Sequence, residues 1–131
     1  MAGHDRSLRR SVWVIYHIAF KTDWEDAQTS GEYRVSTRGA RLDDVGFIHA
    51  SFAHQVERIG ALLYGDSSVA VVVLVIDPKR VNSPLKVEGL DGGAEEFPHL
   101  YGPLPTSAVV QILPVRLAAG QFIVEGLVPD L

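Results

Sequence analysis

Gly46-Phe47-Ile48-His49-Ala50-Ser51 is the stretch around which the rest of the chain is organised. A short apolar run delivers one histidine, then a serine suited to opening a helix. A serine hydroxyl accepts a hydrogen bond from an otherwise unpaired amide of the first helical turn, so Ser51 reads as an N-cap. Behind it Phe52, Val56, Ile59 and Leu63 recur four, three and four residues apart, which is one face of a helix. His49 is therefore expected at a strand-to-helix junction, held by packed elements on both sides. Two other segments set a histidine in a similar apolar frame: Ile15-Tyr16-His17-Ile18 and Phe97-Pro98-His99-Leu100-Tyr101-Gly102. The three frames lead to the expectation that His17, His49 and His99 meet in one cleft.

The chain has 131 residues, no cysteine and a net charge of -4. That length suits a single globular domain, expected over residues 12–131, with a flexible basic tail over 1–11 that carries Arg6, Arg9 and Arg10. The absence of cysteine excludes disulfides, thiolate zinc sites and cysteine nucleophiles. The negative balance counts against general nucleic-acid binding driven by phosphate neutralisation. No small-residue cleavage site follows the first short apolar stretch, so it is not read as a signal peptide. The longest apolar run, residues 69–76, is far short of the ~20 needed to span a bilayer. No membrane partner is expected, and a cytoplasmic location is.

Residues 12–18 are apolar and β-branched around Trp13 and Tyr16, as in a strand buried on both faces. Thr22-Asp23-Trp24-Glu25 fits a capping box and predicts a short helix that ends at Gly31. Residues 32–37 read as a short strand and 38–45 as a loop. Residues 69–76 are the strongest strand; their lack of alternation predicts a central position covered on both sides, ended by Asp77-Pro78. Leu85 and Val87 alternate with Lys86 and Glu88, as in a half-exposed strand. A glycine-rich acidic loop over 90–96 leads into the His99 segment. Two closing strands, 109–113 and 121–124, are joined through Ala119-Gly120 as a hairpin. Helices early and strands late point to an α+β fold rather than a regular parallel one.

Imidazole donates or accepts a hydrogen bond while neutral, and it titrates near neutral pH. Each of the three histidines has a hydroxyl or ring neighbour: Tyr16 beside His17, Ser51 two residues after His49, and Tyr101 two after His99. His4 and His54 lack that setting, and His54 is expected on the first helical turn, in water. Three imidazoles plus water make a catalytic zinc pattern, but no H-x-H, H-x-x-x-H or nearby carboxylate pair occurs, so no metal is expected. No serine sits in a glycine-flanked elbow, and neither a P-loop nor a G-x-G-x-x-G is present.

Tyr16-His17-Ile18, the helix with Trp24 and Gly31, Gly46-Phe47-Ile48-His49 with Ser51, the strand ending Ile76-Asp77-Pro78, and Phe97-Pro98-His99-Leu100-Tyr101-Gly102-Pro103-Leu104 together resemble the bacterial domain-of-unknown-function 952 family. The resemblance spans residues 14–115, in order and with similar spacing. It implies an α+β fold like that of the ADP-ribosyltransferases: a split pair of small mixed or antiparallel sheets around a cleft, with two main helices. In active relatives the cleft holds NAD. The resemblance gives His17 the adenine-side ribose and sets His49 and Ser51 beside the nicotinamide end, with Tyr16 and Tyr101 among the contacts. The third position of the superfamily is usually a glutamate, and this chain carries His99 in the matching region. The tRNA 2'-phosphotransferase branch also lacks the glutamate and uses two histidines. Arg34, Arg38 and Arg41 are the candidates for a pyrophosphate.

Two functions follow from the resemblance. One is an NAD-using transferase or NAD-processing enzyme in which His17, His49 and His99 are catalytic. The other is a module that binds a nucleotide or similar small ligand without turnover, and a third, an unliganded accessory fold, fits the composition equally. A neutral His99 supplies a hydrogen bond but no charge, so cleavage of NAD is expected to be weak or absent.

Overall fold

The computed structural model describes residues 13–89 and 93–128. The expected basic tail, the first residue of the expected opening strand and the beginning of the 90–96 loop lie outside the described residues. Strand β1 (Ile15–Phe20) pairs antiparallel with β6 (Val71–Ile76), Ile15 opposite Ile76 and Phe20 opposite Val71. On the other side of β6 runs β10 (Val109–Ala118), whose far half pairs with β11 (Gln121–Val124), giving the order β1-β6-β10-β11. The expected central place of the valine-rich strand is found. Leu74 and Ile76 pack with Ile15 and Ala19 on one face of this sheet, and Val73 and Val75 with Tyr16 and Ile18 on the other. Burying each such side chain contributes about 1.5–3 kcal/mol, so a strand without alternation needs cover on both sides.

Helix α1 (Lys21–Ser30) follows β1 directly, and α3 (Ala53–Tyr64) packs on the face carrying Tyr16 and Ile18. Gly31 ends α1 in the left-handed conformation, φ 89°, its amide bonded to the Ala27 carbonyl. The hairpin between β10 and β11 turns through Ala119 and Gly120, both at positive φ. Asp77 stops β6 and accepts a hydrogen bond from the Lys79 amide over a single 3₁₀ turn, Pro78–Arg80.

A second sheet has the order β5 (Ile48–His49), β8 (Glu96–Leu100), β7 (Leu85–Gly89), again antiparallel. Two further pairs complete the fold: β2 (Glu32–Tyr33) with β9 (Leu104–Pro105), and β3 (Val35–Thr37) with β4 (Ala40–Arg41). The class is α+β with antiparallel pairing, as expected. Ile48 and His49 pair with Leu100 and His99, the Ala50 amide bonds the Pro98 carbonyl, and Ser51 exchanges two backbone hydrogen bonds with Tyr16. Four consecutive residues thus tie the second sheet to the first.

That tie corrects the reading of Ser51. The N-cap of α3 is Phe52, without a side-chain cap bond, and Ser51 is 2% exposed with its backbone committed to Tyr16. Gln55 performs the cap instead, its Oε1 accepting from the Phe52 amide at 2.9 Å. The capping box at Thr22 is also corrected: α1 begins at Lys21, whose amide bonds the Ala70 carbonyl, and no side chain caps it. Residues 38–45 are not a loop, because they contain β4 and the one-turn helix α2 (Leu42–Val45). The expected strand over 32–37 is two strands with different partners. In β7 the strand is found, but Val87 is 44% exposed while Glu88 faces a histidine.

No helix among the described residues is long and apolar enough to cross a membrane.

Candidate functional site

His17 lies on β1, on the face shared with Ile15 and Ala19, and is 2% exposed. Its Nδ1 is 2.6 Å from the His49 carbonyl, and its Nε2 is 2.9 Å from the Tyr33 hydroxyl. A carbonyl only accepts, so Nδ1 carries the proton, and Nε2 accepts from Tyr33. Burial lowers the His17 pKa to about 4, partly opposed by the bond to His49. Burial also pushes the Tyr33 hydroxyl well above its ordinary pKa, so it stays a donor. The His17 imidazole is therefore neutral, with both nitrogens engaged.

His99 sits in β8, directly opposite His49 on one side and Lys86 on the other. Residues opposite one another in an antiparallel pair share a face, so His49, Lys86, Glu88, Phe97, His99 and Tyr101 stand on the same side of the second sheet. Glu88 Oε2 lies 2.8 Å from His99 Nδ1, and the same oxygen accepts from the Tyr101 hydroxyl. These two bonds, the tyrosine's first, hold the Glu88 carboxyl below its usual pKa, and Glu88 in turn raises that of Tyr101. An ionised Glu88 makes His99 Nδ1 the donor, which leaves Nε2 as the ring's other nitrogen. That atom is buried and has no partner among the described residues. The Phe47 ring stacks on His99 at 4.0 Å and 19°, delivered by Gly46 at φ 98° after α2. Lys86 Nζ lies 4.8 Å from the centre of the Tyr101 ring.

His49 is half-buried, its ring 5.5 Å from that of His99 and 5.1 Å from Phe97. Burial first, and the neighbouring His99 second, lower its pKa to about 4. The expectation of one cleft is corrected here. His17, His49, Ser51 and Tyr16 line a cavity of only about 10 Å³, roughly one water's worth of room. His99 does not line it. The three histidines form a chain, His17 to the His49 carbonyl and the His49 ring to His99, and His17 and His99 are both shut from solvent. Tyr16 belongs to the core at 4% exposure, whereas Tyr101 lies half-exposed in the Glu88 group. His54 is exposed on the first turn of α3, its ring nearly parallel to that of Phe52.

Glu88, Phe47, Lys86 and Tyr33 were not singled out from the sequence. The signal for two of them was present, because Lys86 and Glu88 alternate in β7, which pairs antiparallel with β8. Of the candidate arginines, Arg34 is paired with Asp43 at 2.7 Å and Glu32 at 3.5 Å, and Arg38 with Asp66 at 2.8 Å. Arg41 is exposed and lies opposite Val35 in the β3–β4 pair. Among the described residues no three His, Asp or Glu side chains converge to hold a metal ion.

The model of a family described as protein of unknown function, DUF952, matches residues 18–112. The crystal structure of protein CC0527 from Caulobacter crescentus is similar at 30% identity, covering 85% of this chain and 94% of that one, with a TM-score of 0.70. A double mutant of that protein gives the same values. Its solution structure by nuclear magnetic resonance gives 31% identity over 83% of this chain and 90% of that one, with a TM-score of 0.66. No curated protein matches the sequence significantly.

Proposed function

The chain belongs to the DUF952 family, and on that footing we propose that it is a cytoplasmic enzyme of ADP-ribosyltransferase-like type. In this proposal the face around Glu88 and His99 binds NAD or a related nucleotide and processes its ADP-ribosyl group. The observation that carries the reading is the bonding of Glu88 to both His99 and Tyr101. It supplies a carboxylate beside the histidine that stands in the superfamily's glutamate position. The residues fit such a ligand here better than at His17. Phe47 and Tyr101 offer half-exposed rings for stacking, Lys86 a cation for phosphate, and Glu88 an anion for ribose hydroxyls. NAD supplies an ADP-ribosyl group with a pyridinium leaving group. Glu88 contributes fixed negative charge, His99 Nδ1–H and the Tyr101 hydroxyl hold that carboxylate in place, and Phe47 keeps water from His99.

A second reading, binding without turnover, is favoured by His17: both its nitrogens are engaged, and the cavity beside it is too small for a ribose. Titration with NAD, ADP-ribose and nicotinamide, followed through the His49, His99 and Tyr101 resonances, tests binding. Nicotinamide release in the wild type and in Glu88→Gln then tests turnover, with an expected loss of about 10²–10³-fold in the variant, typical for one well-placed electrostatic contact. Binding without release of nicotinamide selects the second reading. Turnover that survives Glu88→Gln, or NAD that perturbs none of these residues, overturns the proposal.

A further inference from the structure

β7 is the outer strand of the second sheet, and no strand among the described residues pairs with its free side. The Tyr101 amide donates to the Pro84 carbonyl at 2.9 Å, so the pairs that exchange hydrogen bonds with β8 fall at Lys86 and Glu88. Such pairs alternate along an antiparallel ladder, which turns the backbone of Leu85 and Val87 outward. Pro98 agrees with this. It lies opposite Val87, has no amide to give, and spends its carbonyl on Ala50 on its other side. The Val87 amide and carbonyl therefore face the open edge. Lys86 and Val87 are both exposed, and a free edge of this kind invites another strand.

The charges on β7 select which strand. Lys86 and Glu88 stand on one face, with Val87 between them on the other. Antiparallel pairing of β7 with a second β7, its two-fold at Val87, sets Lys86 across from Glu88 of the partner subunit, twice by symmetry. A two-fold at Lys86 or at Glu88 would oppose like charges, and parallel pairing would set like beside like. Opposite charges across a ladder stabilise it and like charges weaken it, so a single register is favoured. Glu88 has room for the contact: its Oε2 takes both His99 and Tyr101, and its Oε1 accepts no hydrogen bond among the described residues. From the open edge and this self-complementary charge pattern, we infer that β7 is a dimerisation strand. Two copies of the chain pair through it into one six-stranded sheet, and each gives Lys86 to the Glu88 group of the other. The dimer needs neither ligand nor turnover, so it stands or falls apart from the proposed enzymatic reading. Five residues make a smaller contact than a standard interface, so the dimer is reversible, with a dissociation constant on the order of 100 µM.

Sedimentation equilibrium of the full chain at low ionic strength, from about 10 µM to 1 mM, should show a monomer–dimer equilibrium. Lys86→Glu and Glu88→Lys should each weaken it at least about tenfold. An equimolar mixture of the two should restore association, because both cross-strand pairs are then again of opposite sign. Val110→Asp, at an exposed position of β10, should associate like wild type. The inference is overturned by a protein that stays monomeric throughout this range, by Lys86→Glu associating as well as wild type, or by loss of association in Val110→Asp. It is overturned too if the two variants, both folded by circular dichroism, stay monomeric when mixed. If Glu88→Lys does not fold, Lys86→Glu, at an exposed position, decides alone.

Discussion

His17 should make the protein acid-sensitive by a calculable amount. In the unfolded chain its pKa is near 6.5, and in the fold burial lowers it to about 4. Between those values the unfolded state binds a proton at this position that the native state refuses. Its contribution is therefore fully present above pH 6.5 and is lost as the pH falls towards 4. At roughly 1.4 kcal/mol per pKa unit, the loss between pH 7 and pH 4 is about 3 kcal/mol. The comparison that isolates it is His17→Gln, since a glutamine amide can still donate to the His49 carbonyl and its oxygen can accept from Tyr33. Unfolding by guanidinium at constant ionic strength, from pH 4 to 7.5, gives both stabilities. Carboxylates and His49 titrate in both proteins and drop out of the difference. Wild type should lose about 3 kcal/mol relative to the variant as the pH falls. Parallel pH curves for the two proteins would show that His17 is not a buried neutral imidazole.

Gly60→Ala sets two effects of opposite sign against each other. Alanine favours a helix by about 1 kcal/mol, but the new Cβ would run into the buried Phe122 ring. Net destabilisation of about 1–3 kcal/mol is expected by thermal unfolding, as for overpacking elsewhere, and a stabilised variant would refute close packing of α3 on β11. Gln55→Ala removes an acceptor for the Phe52 amide and a donor to the Glu96 carbonyl, 2.8 Å away, at a site 1% exposed. A loss of about 2–4 kcal/mol in urea unfolding is expected, with faster amide exchange near Glu96; a change under about 0.5 kcal/mol would mean water replaces both bonds.

The elements legible in the sequence were those whose cause is local. The Val71–Ile76 strand needs only its own run of apolar residues, Gly31 its freedom to take a positive φ, and Asp77-Pro78 its missing amide. What misled was local chemistry overruled by distant partners. Ser51 and Thr22 are both good caps, yet Ser51 gives its amide and carbonyl to Tyr16, and α1 starts a residue before Thr22. A helix begins where tertiary pairing lets go of the chain, and a cap worth about 1 kcal/mol does not outweigh two strand hydrogen bonds and a buried residue. The strand β4, of two residues, carries too little pattern to be read at all, whereas the equally short β5 shows in the apolar run that ends at His49. Pro98 is the reverse case: proline argues against a central strand, yet β8 runs between β5 and β7 because the Pro98 carbonyl still bonds the Ala50 amide.

Three histidines in near-identical apolar frames come to differ through what lies across from each in the fold. His17 has a carbonyl and a hydroxyl within reach, so its ring is fixed, neutral and structural. His49 gives its carbonyl to His17 and keeps its ring half-open beside His99. His99 alone meets a carboxylate, and it does so only because β7 pairs with β8 in the register that sets Lys86 opposite it and Glu88 one step diagonal. A slip of one residue would turn Glu88 to the other face and leave His99 without its partner. Register is a property of two strands and the loop between them, so no inspection of Phe97-Pro98-His99-Leu100 by itself could assign the carboxylate. Glu88 is thus the carboxylate of this face, accepting from His99 Nδ1 and from the Tyr101 hydroxyl.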